Sequence, residues 1–351
     1  MTVALHVFIL HLVFAAFIGG ISSLLTAILI RRLRVFDIPN ERSSHSMPTP
    51  RGGGLAIVIG FLLGVSLIQI IGTAVPLRSQ YFFGFLFSLI LIASVSFYDD
   101  IQHRGIKVKL VTQLVSILIV MAAGNVIDVV RLPWLGEVHA FIVLYPLTLV
   151  WLLGLTNAYN FMDGLDGMAA STAAVACGFF SYIAFREGSH FAYLVSLALG
   201  AATLGFLVFN WSPAKIFMGD VGSTFLGFAF ATLAIVAARY DHGHTSLFVM
   251  PLLLFHFIFD SIFTLIRRLR NGDNVFQAHR THLYQLINRL GYSHKAVTLI
   301  YAGLALIQGV AAIWMVGIPG EQRLLVFLPF AVVYFLVGAR ILARARRAGL
   351  L

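Results

Sequence analysis

The sequence predicts an all-α polytopic membrane protein, and three observations carry that reading. Of its 351 residues, 60% are hydrophobic and only 11% are charged, with a mean hydropathy of +0.93. No soluble core of this size hides so much apolar side chain. The apolar residues fall in runs of about 20, which as helix cross a hydrocarbon layer roughly 30 Å thick. The runs also lack the polar alternation that a closed barrel needs.

Ten to eleven transmembrane helices follow, in a single membrane-embedded domain covering residues 1–351. The eleven spans are drawn at 3–30, 53–75, 81–98, 108–124, 139–157, 168–185, 190–210, 222–238, 246–266, 296–316 and 323–343. The first run has no basic residue before it and "RRLR" after it, so it reads as a retained helix with its amino end outside. Alternation then puts only Arg78, Arg131, Arg186, Arg239 and Arg323 outside, leaving 24 − 5 = 19 of the Lys and Arg residues inside. So uneven a split supports the orientation. The net charge of +10 reads as anchoring to anionic membrane lipid, with no nucleic acid as partner. The lone cysteine, Cys177, lies in an apolar run and reads as a small buried hydrophobe.

Carboxylates near membrane depth cost about 2.5 to 3.5 kcal/mol each on insertion scales, which makes a paired or functional role the default. Of fourteen acids, Asp37, Glu41, Asp99, Asp100, Asp163, Asp166, Asp220, Asp260 and Asp273 lie on the proposed inner side, at span ends. In "SVSFYDDIQHRG" the adjacent Asp99 and Asp100 repel unless a cation or shared proton relieves them. In "NWSPAKIFMGDVGSTFLGF" Asp220 stands between Gly219 and Gly222, where backbone and ligand can approach closely, and Ser223 and Thr224 are expected to cap the next helix. Asn157, Asn160 and Asp163 recur at intervals of three in "NAYNFMDGLDGMAA" and form a polar stripe off the fifth span. There Asp166 is expected to accept from the new helix's free amides while Asp163 reaches a ligand. Hard oxygen ligands without a His/Cys cage suit Mg²⁺, with Mn²⁺ as the alternative. Asp260 is expected to pair with Arg267 or Arg268.

At this point a resemblance becomes specific. "YDD", "NAYNFMDGLDGMAA", "FMGDVGSTFLG" and "HRTHLYQLINRLGYSHK" resemble the polyprenyl-phosphate N-acetylhexosamine-1-phosphate transferases, the superfamily containing MraY and WecA, from "DIPNERSSHSMPTPRGGG" to "GYSHK". The resemblance implies transfer of a sugar-1-phosphate from a UDP-N-acetylhexosamine to undecaprenyl phosphate, with Mg²⁺ and release of UMP, at the bacterial cytoplasmic membrane. Carried over by motif, Asp220 is the principal metal ligand and Asn160 shares it. Asp99 and Asp100 serve the lipid phosphate, and Asp163, Asp166 and Asn210 serve the nucleotide, with Phe217 stacked on uracil. Arg280 and the catalytic His282 suit the diphosphate oxygens. A homodimer is compatible with the pattern.

Two departures bear on the sugar. The family's HxHH element reads "HLYQ" here, so Tyr284 and Gln285 stand in the paired-histidine places, as in the WbpL-like branch that starts lipopolysaccharide O-antigen units. A Tyr284 ring offering an apolar face to the sugar points to a 6-deoxy-N-acetylhexosamine. The first inner loop lacks a matching nucleotide-site lysine, so His45 or Arg51 is the candidate there. An MraY-like peptidoglycan enzyme is the alternative within the family. A secondary transporter predicts broken helices at the midplane and internal repeats; a CDP-alcohol phosphotransferase predicts an Ala-Arg pair after Asp163-Gly164, and this sequence has Leu165-Asp166.

Overall fold

The computed structural model describes residues 5–39, 47–71, 80–102, 105–239, 244–275, 277 and 279–351. His45 lies outside the described residues. Helices α1 (Leu5–Arg32), α2 (Gly54–Ile71), α3 (Gln80–Gln102), α4 (Ile106–Ala122), α5 (Phe141–Phe161), α6 (Met168–Glu187), α7 (His190–Asn210) and α8 (Gly219–Arg239) follow the first eight spans. The ninth span is broken into α9 (Val249–Leu253) and α10 (Phe255–Arg270), because Leu254 leaves helical geometry at φ −109°, ψ 13°. A short helix that the spans do not include, α11 (Leu283–Arg289), precedes α12 (His294–Val316) and α13 (Phe327–Arg347). Eight of the described helical segments are long and apolar enough to cross a membrane. Their outer faces carry exposed Phe8, Leu12, Phe87, Val150, Leu306 and Leu336, as lipid contact requires.

What little strand there is sits outside the helices. Strands β1 (Phe36–Asp37) and β2 (Thr49–Pro50) pair antiparallel on one face, and β3 (Val130–Leu132) and β4 (Gly136–Val138) form a hairpin on the other. In that hairpin Arg131 stands opposite Glu137 and pairs with it at 2.7 Å.

Helix α8 is the axis of the bundle. Every residue from Gly219 to Ala237 is buried, against α5, α3 and α2. Small residues make this possible: a Cβ on Gly227 would lie 2.8 Å from Tyr159 Cβ, and one on Gly222 would lie 2.7 Å from Gly54 Cα. Glycine against glycine brings the first turns of α2 and α8 together, and that contact aligns the loops before both helices. Gly222→Ala is expected to destabilise the protein by about 1 to 3 kcal/mol through overpacking, read as a lower thermal midpoint in detergent.

Candidate active site

The segments preceding α2 and α8, the end of α3, the start of α4 and the α5–α6 turn meet at one end of α8. Gly219 begins that helix at φ +73°, where a Cβ would sit 2.7 Å from Asp100 Oδ2 and 3.0 Å from Gly52 N. Without it, the Asp100 carboxylate of α3 reaches the free amides of α8's first turn. Asp220 N and Val221 N donate to Asp100 Oδ1 and Oδ2 at 3.1 and 3.0 Å. A carboxylate from another helix thus does the capping, where the partial positive charge of a helix start favours an anion. The expectation for Ser223 and Thr224 is corrected accordingly. Both lie inside α8 and donate back to the carbonyls of Gly219 (3.1 Å) and Asp220 (2.6 Å).

Two cations hold the acids together. Gly53 N donates to Phe217 O at 2.9 Å and Phe217 N to Pro50 O at 2.8 Å, so residues 50–54 run beside residues 216–218. That pairing delivers Arg51, whose Nε lies 3.0 Å from Asp100 Oδ1 and whose guanidinium donates to Asp220 Oδ1 at 2.8 Å. Burial works against the Arg51 charge, but Asp220 and then Asp100 more than offset it and raise its pKa. From the first turn of α4, Lys109 Nζ pairs with Asp99 Oδ2 at 3.0 Å and with Asp220 Oδ2. Asn160 Nδ2 completes the cluster, donating to Asp220 Oδ1 at 3.2 Å and Ser223 Oγ at 2.8 Å.

The adjacent carboxylates therefore differ. Both Asp100 oxygens are engaged by backbone amides and Arg51, whereas Asp99 Oδ1 is buried without a hydrogen-bond partner. A buried acceptor left open is uncommon in native proteins and calls for an explanation.

The α5–α6 turn divides its acids in the same way. Asp163 is half-buried, and among the described residues no hydrogen bond reaches its carboxylate. Burial foremost, then the negative charge of Asp220, holds its pKa well above the usual carboxylate range. Asp166 instead accepts from Ala214 N and pairs with His294 Nδ1, both at 3.2 Å. Burial opposes its charge, but the His294 contact outweighs it and lowers the pKa. Asp166 therefore does not cap α6. The Gly167 amide donates to Asn210 Oδ1 at 3.1 Å, and Asn210 Nδ2 donates to Ile216 O at 2.9 Å. With both ends of its buried amide used, Asn210 ties this turn to the loop bearing Phe217, which is itself half-buried. The remaining member of the stripe, Asn157, donates to Gln113 Oε1 at 2.8 Å.

Helix α11 brings the downstream motif to the same face. Asp260 does not contact Arg267 or Arg268 as expected. Its oxygens accept from Leu283 N (2.9 Å), Tyr284 N (3.1 Å) and Tyr301 Oη (2.9 Å), and face His282 Nδ1 at 3.2 Å. Arg267 and Arg268 hold carbonyls of the α10–α11 loop instead. Asp260 thus fixes the start of α11 and orients the His282 ring through Nδ1, with no hydrogen bond to Nε2 among the described residues. Behind it, burial first, then His282 and two arginines, pushes His279 down to about 4. Arg280 is half-buried in the same loop. The expectation for Tyr284 is corrected: the ring is 1% exposed, its hydroxyl donates to Phe161 O at 2.9 Å, and Gly164 leaves the room it occupies. It braces α11 against the α5–α6 turn and has no face to offer a sugar.

Asp220 and Asp99, joined through Lys109, offer carboxylate oxygens and Asn160 an amide oxygen, a ligand set that suits a hard divalent cation. Among the described residues no three His, Cys, Asp or Glu side chains are grouped to hold a metal ion. Arg51 and Lys109 take the Asp220 oxygens, so a dication there has to displace one of these contacts. Lys109 has no motif of its own in the sequence, where it is one of several inner-face positive charges. Its position one short loop after "YDD", at the start of an apolar helix, is the signal that places it.

The fold and this cluster define a class: a multi-pass membrane protein with a buried set of acids and cations at one face. Residues 82–238 match the model of glycosyl transferase family 4. The chain is 32% identical over 305 residues to the probable undecaprenyl-phosphate N-acetylglucosaminyl 1-phosphate transferase of Bacillus subtilis, covering 84% of each. It is 31% identical to the decaprenyl-phosphate N-acetylglucosaminephosphotransferase of Mycobacterium leprae, over 82% of this chain and 78% of that one. Identity to the phospho-N-acetylmuramoyl-pentapeptide-transferase of Anoxybacillus flavithermus is 30%, over 85% and 97%. The chain belongs to glycosyl transferase family 4.

Proposed function

We propose that this protein transfers an N-acetylhexosamine-1-phosphate from a UDP-sugar to undecaprenyl phosphate, releasing UMP, at the cytoplasmic face of a bacterial inner membrane. The observation that carries the reading is Asp220, held by Arg51, Lys109 and Asn160 where the loops converge, next to the open Asp99 Oδ1. The transferred sugar phosphate and the polyprenyl-phosphate acceptor are supported by the relatives' names, and the face by the 19 to 5 charge split.

Both reactants are anionic, so the main obstacle is charge. A magnesium or manganese ion held by Asp220 and Asn160, with Asp99 Oδ1 beside them, would supply neutralisation at the diphosphate. Arg51 and Lys109 add two cations at the same point. Asp99 positions the lipid phosphate or takes its proton, and His282 Nε2 with Arg280 holds diphosphate oxygens. Asp163 faces the nucleotide and Phe217 the base, while Asp166 and Asn210 serve that subsite by fixing its loop.

The "HLYQ" sequence in place of paired histidines supports the WbpL-like branch and a lipopolysaccharide O-antigen unit as the product. The burial of Tyr284 removes the contact on which a 6-deoxy preference rested, so the donor is assigned only as a UDP-N-acetylhexosamine. Tyr284→Phe is expected to lower kcat/KM by the same factor for every donor sugar, since it loosens α11 as a unit. A change confined to one sugar would show that this ring meets the substrate.

The reaction itself is tested by incubating the purified protein with undecaprenyl phosphate, Mg²⁺ and a panel of UDP-N-acetylhexosamines, 6-deoxy forms included. UMP and a lipid-linked sugar diphosphate are expected with at least one donor. No UMP from any of them, with folded protein, would refute the assignment.

A further inference from the structure

The last helix carries a second cationic surface, separate from the acidic cluster. Arg340, Arg344 and Arg347 follow one another at i, i+4 and i+7, which puts them on one face of α13. All three are exposed, and among the described residues no carboxylate pairs with any of them. The same stripe continues toward the start of the helix as exposed Val333, Leu336 and Val337. Beside its basic end, Arg344 and Arg347 line a cavity of about 440 Å³ with Leu290, Tyr292 and Ala348.

Complementing the negative end of the helix dipole accounts for a cation in the last turn. It does not account for three unpaired guanidinium groups along one stripe, two of them at a cavity. The order along the stripe, apolar and then cationic, matches an acyl chain followed by a phosphate. Guanidinium is the side chain whose geometry fits phosphate bidentately, and Tyr292 lies just before α12, at the end of a candidate span, where phenols are enriched.

We propose that the cleft between the α11–α12 turn and the end of α13 binds the phosphate headgroup of an anionic glycerophospholipid, with its acyl chains along Val333, Leu336 and Val337. The site lies at the Leu290 end of α11, whose other end follows His282. Leu283 packs near Gly338, where an added Cβ would meet its side chain at 3.3 Å. The lipid therefore touches both helices that frame the downstream motif. This assignment stands independently of the transfer reaction.

The test uses the full chain in nanodiscs of equal phosphatidylglycerol and phosphatidylcholine, with retained lipid counted by native mass spectrometry. The wild type is expected to retain phosphatidylglycerol over phosphatidylcholine. Arg344→Gln with Arg347→Gln removes two charge-assisted contacts to one headgroup phosphate, and since one such contact is worth about tenfold, the preference is expected to fall roughly tenfold or more. Arg31→Gln with Arg32→Gln, the same charge change at the exposed end of α1, is expected to preserve it. Excess inorganic phosphate is expected to leave the wild-type preference in place. Equal retention of the two lipids by the wild type, equal losses in both double variants, or full displacement by inorganic phosphate would each overturn the assignment.

Discussion

Asp220→Asn is expected to lower UMP release by about a thousandfold or more while the protein stays folded in the membrane. The size follows from weakened metal binding, since the cation that would neutralise the diphosphate loses its principal carboxylate ligand, and loss of one such stabilising group costs on the order of 10² to 10³ elsewhere. Folding survives because each cation keeps a carboxylate partner. Removing the Asp220 charge leaves Arg51 on Asp100 at 3.0 Å and Lys109 on Asp99 at 3.0 Å, so neither cation is left buried and alone. The measurement pairs UMP release with the thermal midpoint in detergent. Near-normal Mg²⁺-dependent turnover in the folded variant would show that the metal is held elsewhere.

Asp99→Asn and Asp100→Asn are expected to fail in different ways, although the residues are neighbours in sequence. Asp99→Asn should abolish turnover with a modest change in midpoint, since it alters a carboxylate with one open oxygen and one lysine contact. Asp100→Asn should unfold more readily, by about 3 to 5 kcal/mol, the usual cost of breaking a buried ion pair from one side. Its carboxylate accepts from two amides of α8 and from Arg51, and an asparagine offers one acceptor oxygen in place of two. Thermal unfolding and UMP release on both variants check this. An Asp100→Asn protein as stable as wild type, or an active Asp99→Asn protein, would contradict the division of labour.

Much of the fold was legible because membrane helices announce themselves: among the described residues each of the eleven apolar runs is largely helical, and the 246–266 run is interrupted at Leu254. The break at Leu254 was not legible, since it is a backbone departure in a run that stays apolar. Helix α11 was too short and too mixed in composition to stand out. The motif residues were found because charged and amide side chains are rare in such a chain. Lys109 was harder to pick out because a lysine at the inner end of a span has an ordinary explanation in membrane orientation.

The sequence by itself determined the class of fold, the gathering of acids at span ends and the family resemblance, because hydropathy and charge placement are local properties of the chain. Only the tertiary structure decided which acid does what. Whether Asp100 caps a helix, Asp99 keeps an open oxygen, Asp166 braces a loop or Tyr284 is buried depends on partners far away in the chain. Asp220 lies 120 residues after Asp100, and Phe161 lies 123 before Tyr284. Hydrogen bonds and ion pairs act over about 3 Å, so their assignment waits on the close approach of Gly54 to Gly222 and the packing around α8 that bring those atoms within reach.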